Sequence, residues 1–207
     1  SICDGEITFI TATGAGLGGT YSWTGGIING FPFYPNETNS YIVTGTSIDG
    51  CTGSDILTIT VNPLPSISAG ADREICEGEE VELSAFGAGT EGVYEWSGGI
   101  DDGDVITPSM TTEFYVIGTD INECASQDTV LIIVHNNPEA DLTADNLIGC
   151  APHSVNFEVI SGGGMLTYEW SFGDGEYGVG SSVNHLYSSP GLYDINLTVT
   201  NEYGCTS

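Results

Sequence analysis

Three cysteine–tryptophan pairs recur along this 207-residue chain, and their regular spacing constrains the fold more than any other feature. Each unit begins near a cysteine, carries a tryptophan 20 residues later and contains a second cysteine further on. Successive first cysteines lie 73 and 74 residues apart. The three sets are Cys3, Trp23 and Cys51, then Cys76, Trp96 and Cys124, then Cys150, Trp170 and Cys205. Repetition at a fixed period indicates one structural unit copied along the chain.

The pattern inside each unit is typical of a β-sandwich. Val, Ile and Thr favour a pleated surface, and 30 glycines with eight prolines provide frequent turns. Short β-rich segments separated by turn signals, without intervening helices, indicate a sandwich. We therefore predict an all-β chain of three tandem sandwiches, at residues 1–64, 65–138 and 139–207. The first repeat is expected to lack its first strand, and the third repeat its last strand.

The predicted boundaries between repeats are short and contain proline. They fall at Pro63-Leu64-Pro65 and at Asn136-Asn137-Pro138. Proline fixes the backbone and removes a hydrogen-bond donor, so it stiffens a junction. The sequence therefore predicts semi-rigid junctions and an extended rod.

The charge balance excludes two classes of partner. The chain has 29 acidic residues against one base, Arg73, which gives a formal net charge of −28. Binding to nucleic acid or to an anionic membrane surface requires clusters of Lys and Arg, so we expect neither. The longest aliphatic run, Val130 to Val134, has five residues and is too short to span a membrane. We expect a folded, acidic chain with no direct membrane insertion.

The six cysteines are expected to form structural disulfides within the repeats. Six cysteines allow fifteen connectivities, and repeat symmetry favours a pairing of the two cysteines of each unit. The expected bonds are Cys3–Cys51, Cys76–Cys124 and Cys150–Cys205. A zinc site is the alternative, but zinc sites usually show a close Cys-x-x-Cys spacing, which this chain lacks. Disulfides imply an oxidising compartment, so we expect an extracellular or cell-surface protein.

The third repeat carries a recognisable string of residues. The segment 168–175 reads Tyr-Glu-Trp-Ser-Phe-Gly-Asp-Gly, and 184–187 reads Asn-His-Leu-Tyr, before Pro-Gly-Leu-Tyr at 190–193. The pattern resembles the polycystic-kidney-disease (PKD) domain family, with its W-x-F-G-D-G turn, although Ser171 stands where Asp is commoner. The resemblance implies a β-sandwich in which the histidine packs and donates hydrogen bonds. The motif residues are Trp170, Phe172, Gly173, Asp174, Gly175, His185, Tyr187 and Tyr193.

The first two repeats share C-x-G-E, Y-x-W-x-G-G and P-x-x-T strings. They resemble the Ig-like repeats that accompany PKD domains in very large cell-surface proteins of Bacteroidota. Gliding-motility adhesins of the SprB type, exported by the type IX secretion system, are examples. The resemblance implies a non-catalytic structural or adhesive stalk. Its partners would be neighbouring repeats of the same chain, other surface proteins or extracellular glycans. The alternative is a spacer or carbohydrate-binding accessory region of a secreted enzyme.

No constellation for catalysis stands out in the sequence. The three histidines, His135, His153 and His185, lie far apart, and no known nucleophile or phosphate-binding motif is present. Carboxylate pairs are plentiful because the chain is so acidic, and a small sandwich offers no cleft for them. We therefore expect no enzymatic activity and no required cofactor.

Calcium is the most credible ligand, at Asp101, Asp102 and Asp104 around Gly103. Hard carboxylate oxygens suit Ca²⁺, but the turn lacks the complete EF-hand pattern, and a solvated acidic loop is the alternative. Thr129, in Asp128-Thr129-Val130, resembles an O-glycan acceptor, and a strand-initiating triplet is the alternative there.

The tryptophans could form a sugar-binding platform, but their equivalent positions favour the core of each sandwich. The predicted core residues are Tyr21, Trp23, Tyr94, Trp96, Tyr168 and Trp170.

Overall fold

The structure, a computed structural model, describes residues 1–160 and 162–207. Within these residues it contains nineteen β-strands and two one-turn 3₁₀-helices. The predicted all-β class is therefore confirmed. No helix in the described part of the chain is long and apolar enough to cross a membrane.

The first repeat forms three small sheets. A parallel pair joins β1 to β7, an antiparallel pair joins β2 to β4, and the main sheet has the order β3-β5-β6. The strands are β1 (Ile2–Cys3), β2 (Thr8–Phe9), β3 (Thr20–Trp23), β4 (Pro32–Phe33), β5 (Asn39–Thr46), β6 (Thr52–Ile59) and β7 (Val61–Asn62).

The second repeat has the equivalent strands. They are β8 (Arg73–Cys76), β9 (Val81–Glu82), β10 (Val93–Trp96), β11 (Val105–Ile106), β12 (Thr112–Thr119) and β13 (Ala125–His135). The main sheet has the order β10-β12-β13-β8, and β9 pairs with β11. Strand β8 runs parallel to β13, with Cys76 opposite His135. The same arrangement places Cys3 opposite Asn62 in the first repeat.

The third repeat consists of two three-stranded sheets. The strands are β14 (Leu142–Ala144), β15 (His153–Val159), β16 (Leu166–Ser171), β17 (Tyr177–Val179), β18 (Ser182–Tyr187) and β19 (Asn196–Asn201). The sheet orders are β14-β15-β18 and β17-β16-β19. Alternate residues of β15 and β19 are buried, as expected for strands with one face on a core.

The repeated Gly-Gly pair after each Tyr-x-Trp strand has a conformational cause. The two 3₁₀-helices, Thr24–Gly26 and Ser97–Gly99, follow β3 and β10 directly. Gly25 and Gly98 have φ angles of 76° and 80°, in the left-handed region that glycine adopts without a steric penalty. The sequence therefore turns sharply at this point in both repeats.

The three tryptophans are buried, with exposed fractions of 7% for Trp23, 5% for Trp96 and 1% for Trp170. The preceding tyrosines are half-buried, and Tyr21 and Tyr168 pack against the cores of their repeats. A side chain with so little accessible surface cannot stack on a sugar. The tryptophans are therefore core residues.

The chain divides into two compact units. One comprises residues 1–70, 83–104 and 114–129, and the other comprises residues 71–82, 105–113 and 130–207. The boundaries of these units differ from those expected at 64/65 and 138/139. The division into three repeats and the rod shape remain predictions from the sequence.

Candidate functional site

The disulfides connect different repeats, and the predicted pairing within each repeat is wrong. Cys3 is bonded to Cys124 and Cys76 is bonded to Cys205, and in each bond the two α-carbons lie 5.5 Å apart. Among the described residues, the other two cysteines, Cys51 and Cys150, are free and exposed. The expected bonds Cys3–Cys51, Cys76–Cys124 and Cys150–Cys205 are therefore not formed. Each bond that does form links the first cysteine of one repeat to the second cysteine of the next.

Strand length explains why the two cysteines of one repeat do not meet. Cys76 lies opposite His135, at the end of β13, whereas Cys124 directly precedes Ala125, at its start. Eleven extended residues span about 36 Å, and a disulfide needs α-carbons within about 7 Å of each other. The same reasoning separates Cys3 from Cys51 across β6 and β7.

A common turn presents the second cysteine of each repeat. The amide of Cys124 donates to the Asp120 carboxylate at 2.9 Å, and the amide of Cys205 donates to the Asn201 side-chain oxygen at 2.9 Å. The Cys51 amide donates to the Ser47 hydroxyl at 3.2 Å in the same way. These bonds fix the hairpin turn, and the hydrogen bond from Cys124 holds the pKa of Asp120 below its usual value.

Polar and aromatic contacts surround the Cys76–Cys205 bond. The His135 ring stacks on Tyr203, with centroids 3.7 Å apart, and its Nε2 atom lies 2.9 Å from Glu74 Oε2. The Asn201 side chain donates to the Asn136 carbonyl at 3.0 Å, and the Asn137 side chain donates to the Glu77 carbonyl at 3.0 Å. The residues of the predicted 138/139 junction are thus hydrogen-bonded on both sides. His135 has a packing role here.

The acidic turn around Gly103 supports the core tryptophan. One oxygen of Asp102 accepts hydrogen bonds from the Trp96 indole at 2.9 Å and from the Ala85 amide at 2.7 Å. In the first repeat Asn29 accepts the equivalent bonds, from Trp23 at 3.1 Å and from the Ala12 amide at 2.7 Å. A neutral amide therefore replaces the carboxylate as the acceptor.

The predicted calcium ligands do not assemble into a recognisable metal site. The Asp104 carboxylate accepts a hydrogen bond from the Asp101 amide at 3.1 Å, while Asp102 faces the tryptophan. Among the described residues, no group of three or more His, Cys, Asp or Glu side chains could hold a metal ion. The geometry gives Asp102 a structural role.

We predict that Asp102→Ala destabilises the second repeat and that Asp102→Asn does not. The alanine variant leaves the buried Trp96 indole and the Ala85 amide without their acceptor, at a cost of about 1–3 kcal/mol. The asparagine variant copies Asn29, and its free energy of unfolding is expected to lie within about 0.5 kcal/mol of the parent value. Urea unfolding in the presence and absence of millimolar Ca²⁺ measures both effects. Equal loss in the two variants would show that the charge, not the acceptor, matters.

The PKD motif residues of the third repeat form one continuous aromatic cluster. Phe172 stacks on the His185 ring at 4.1 Å, and Tyr187 stacks on Tyr193 at 4.3 Å. The Tyr187 hydroxyl donates to the Phe172 carbonyl at 3.0 Å. Trp170 lies in the same core, and its indole donates to the Gly180 carbonyl at 2.8 Å. The motif therefore builds a core and a turn.

The glycines of the motif are needed for the turn itself. Gly173 has a φ of 79°, and a Cβ atom there would lie 2.6 Å from the Asp194 carbonyl oxygen. Gly175 has a φ of 95°. Both conformations belong to the left-handed region, and Gly173 additionally has no room for a side chain.

The turn is tied to the core through an Asp–His contact. His185 Nε2 lies 2.7 Å from Asp174 Oδ2, and the Glu176 amide donates to the other carboxylate oxygen at 3.1 Å. The hydrogen bond to His185, with a smaller contribution from the Glu176 amide, lowers the pKa of Asp174.

We predict that Asp174 contributes to acid sensitivity. Because its pKa is lower in the folded state, the ionised group stabilises the fold above its unfolded pKa of about 3.9. That stability is lost as the pH falls through the folded pKa. Asp174→Asn should therefore be less stable than the parent at neutral pH, with the difference shrinking below about pH 4. The control Glu176→Gln removes one charge from the same loop and should leave the pH profile unchanged.

The remaining candidate residues are two histidines and Thr129. His153 contacts the Asn146 carbonyl, and His185 contacts Asp174. Thr129 is exposed on β13, while the adjacent Asp128 accepts a hydrogen bond from the Ala69 amide at 3.0 Å. Glycosylation at Thr129 remains a prediction.

Comparison with known proteins agrees with the motif of the third repeat. The family model of the PKD domain matches residues 135–207. Residues 135–207 are similar to the PKD domain. This PKD-like segment covers the whole predicted third repeat, so the coarse resemblance seen in its sequence is confirmed.

One curated relative matches about a third of the chain. Collagenase ColA of Clostridium perfringens (strain 13 / Type A) is 32% identical over 75 residues. The match covers 34% of this chain and 7% of the collagenase. The chain therefore corresponds to a small part of that protein's length.

The solved structures that resemble the chain are multi-domain β proteins. The match to the titin I-band fragment I67-I69 covers 99% of this chain and 92% of the titin fragment, at 11% identity and a TM-score of 0.43. The match to the N-terminal eight Ig domains of Down Syndrome Cell Adhesion Molecule covers 85% of this chain and 31% of that chain, at 13% identity and a TM-score of 0.44. The match to a Ca²⁺-stabilised adhesin that helps an Antarctic bacterium bind ice covers 95% of this chain and 65% of the adhesin chain, at 14% identity and a TM-score of 0.37. Identities this low do not transfer function.

Proposed function

We propose that this chain is a non-catalytic structural segment of an extracellular stalk, built from Ig-like and PKD-like repeats. The disulfides that cross from one repeat to the next carry this proposal. A catalytic or ligand-binding domain gains nothing from cross-links that all run in the same direction along the chain. A segment that bears tension gains a second covalent connection across each predicted junction.

The covalent connections overlap. The Cys3–Cys124 bond closes a loop that contains Cys76, and the Cys76–Cys205 bond closes a loop that contains Cys124. Residues 76–124 therefore belong to both loops. Unfolding a repeat breaks neither bond, so both loops stay closed, which suits an element under tension.

The surface chemistry agrees with a role outside the cell. Disulfides persist in oxidising compartments. A net charge of −28 makes neighbouring copies repel one another and keeps them soluble. The finer proposal is a stalk segment of a very large Bacteroidota adhesin of the SprB type, exported by the type IX secretion system and involved in gliding motility. Only the resemblance of the repeat motifs supports that assignment.

A second candidate is an accessory region of a secreted enzyme. The 32% identity between a 75-residue segment and the collagenase favours it. In that case the segment would position a catalytic domain encoded elsewhere in the parent protein.

The parent polypeptide decides between the two candidates. We would purify it from its source under non-reducing conditions and map its peptides. Further repeats with the same Cys–Trp spacing are expected for the stalk. A single non-repeating domain with a catalytic constellation would overturn the stalk and establish the accessory role.

A further inference from the structure

The first repeat has an open groove beside the free Cys51. The groove has a volume of about 400 Å³ and is lined by residues of two loops and of the strands β3, β5 and β6. Four of its lining positions are Thr13, Gly14, Gly45 and Asp55. A Cβ atom on Gly14 would meet nothing within 4 Å, so this wall of the groove is open.

The equivalent groove of the second repeat is filled by the chain segment Ser66–Ala69. Phe86, which corresponds to Thr13, exchanges two backbone hydrogen bonds with Ser68, at 2.9 and 3.0 Å. A Cβ atom on Gly87, which corresponds to Gly14, would lie 1.9 Å from the Ser66 carbonyl oxygen. The backbone of this segment therefore lies directly against the glycine wall.

Side chains complete the contact in the second repeat. A Cβ atom on Gly118, which corresponds to Gly45, would lie 2.3 Å from Ile67 Cδ1. Asp128, which corresponds to Asp55, accepts a hydrogen bond from the Ala69 amide at 3.0 Å. That hydrogen bond lowers the pKa of Asp128. Glycines at these positions make room for another segment, and the first repeat has the same glycines around an empty groove.

The free Cys51 is presented in the same way as the bonded cysteines. The Ser47 amide donates to the Cys51 carbonyl at 2.9 Å, as the Asp120 amide does to Cys124 and the Asn201 amide to Cys205. Both of those turns hold a disulfide to the first cysteine of another repeat. The groove and the thiol are separate observations at the same end of the first repeat.

We propose that this end of the first repeat is a docking site for another repeat of the same kind. The extended segment that follows the docked repeat fills the groove, as Ser66–Ala69 fills the equivalent groove. The first cysteine of the docked repeat forms a disulfide with Cys51. Cys150 occupies the first-cysteine position of the third repeat and is the complementary half of such a bond. This inference does not depend on the stalk having an adhesive role.

The bond forms by thiol–disulfide exchange with a small disulfide such as oxidised glutathione. The Cys51 thiolate attacks the glutathione disulfide, and one glutathione thiolate leaves. The partner thiolate then attacks the sulfur of Cys51 in the mixed disulfide, and the second glutathione leaves. Two protein thiols become one disulfide, and one glutathione disulfide becomes two thiols, so protons and electrons balance.

The repeat register provides the test. Because residue 1 corresponds to residue 74, a copy of residues 1–73 placed directly before Ser1 continues the chain in register. The added copy carries Cys51→Ser, which removes its own acceptor, and Ile2→Val, which marks its Cys3 peptide by mass. After refolding with reduced and oxidised glutathione, free thiols are alkylated and linked peptides are identified by mass spectrometry.

We expect loss of alkylation at the original Cys51 and a linked peptide joining it to the marked Cys3. The amide of Thr13 should also become protected from hydrogen exchange, because it gains the bond that Phe86 makes. The bonds Cys3–Cys124 and Cys76–Cys205 of the original chain report that it has folded. Full alkylation of Cys51 in a chain with both of those bonds would overturn the proposal.

Two variants of the added copy distinguish disulfide formation at Cys51 from occupation of the groove. Cys3→Ser in the added copy should restore alkylation of Cys51 while Thr13 stays protected. Ile67→Asp in the added copy places a charge in the groove and should reduce Thr13 protection. If Ile67→Asp leaves that protection unchanged, the segment does not occupy the groove and the docking site is refuted.

Discussion

Pulled from its two ends, the oxidised chain is expected to extend only about a quarter as far as the reduced chain. The shortest covalent path runs through residues 1–3, crosses to 124, returns to 76 and crosses to 205–207. At about 3.5 Å per residue, this path is about 190 Å long, against about 720 Å for the full chain. Single-molecule force spectroscopy with and without reductant measures both lengths. Equal final lengths would contradict a disulfide-limited segment.

Single cysteine variants decide which bonds limit the extension. Cys3→Ser should lengthen the oxidised path by about 80 Å, because the force then passes through residues 1–76. Cys51→Ser is the matched control and should change nothing, because Cys51 is free. Pairing within repeats predicts a longer path for Cys51→Ser as well, so that result would refute the connectivity.

Trp170→Ala is expected to cause the largest loss of stability among single core substitutions in the third repeat. Trp170 is 1% exposed and shares a core with Phe157, Phe172 and Val199. Removing a buried tryptophan side chain costs about 3–5 kcal/mol through lost burial and the cavity left behind. It also leaves the Gly180 carbonyl without its indole donor.

Native-state hydrogen exchange measures this loss of stability at individual amides. The amide of the fully buried Val199 should exchange at least about a hundredfold faster in Trp170→Ala, since about 1.4 kcal/mol corresponds to a tenfold change. Tyr177→Ala, on β17 in the same repeat, removes an aromatic side chain that is 79% exposed and should leave the exchange rate nearly unchanged. Similar acceleration in both variants would show that burial of Trp170 is not what holds the repeat together.

The repeat register and the tryptophan cores could be predicted from the sequence. Equivalent positions of Trp23, Trp96 and Trp170 indicate equivalent environments, and all three side chains are buried. Strand boundaries could not be predicted in the same way, because a β-rich composition does not show which residues pair with a neighbouring strand. The β-rich run at 7–12 pairs only over Thr8–Phe9.

Repeat symmetry alone could not predict the disulfide connectivity. Bonds within repeats and bonds between successive repeats both respect the period, so the spacing cannot choose between them. The decisive feature is the long strand β13. His135, at its end, pairs with Cys76 of β8, whereas Cys124 precedes its start. That strand is visible in the sequence as the 125–135 segment, and its length is what keeps the two cysteines of one repeat apart.

The role of Asp102 in the acidic turn was harder to predict, for a different reason. Three carboxylates in one turn resemble a calcium loop, but the position of Asp102 is Asn29 in the first repeat. A neutral residue at the equivalent position was the available signal that an acceptor, not a charge, is required. The hydrogen bonds to the two tryptophans supply the physical reason.

Mapping the disulfides of the native chain tests the central claim most directly. The chain has no lysine and one arginine, so a Glu- and Asp-specific protease, used without reductant, is the suitable enzyme. We expect linked peptides for Cys3–Cys124 and Cys76–Cys205. Linked peptides for Cys3–Cys51, Cys76–Cys124 and Cys150–Cys205 would contradict the cross-linking of successive repeats.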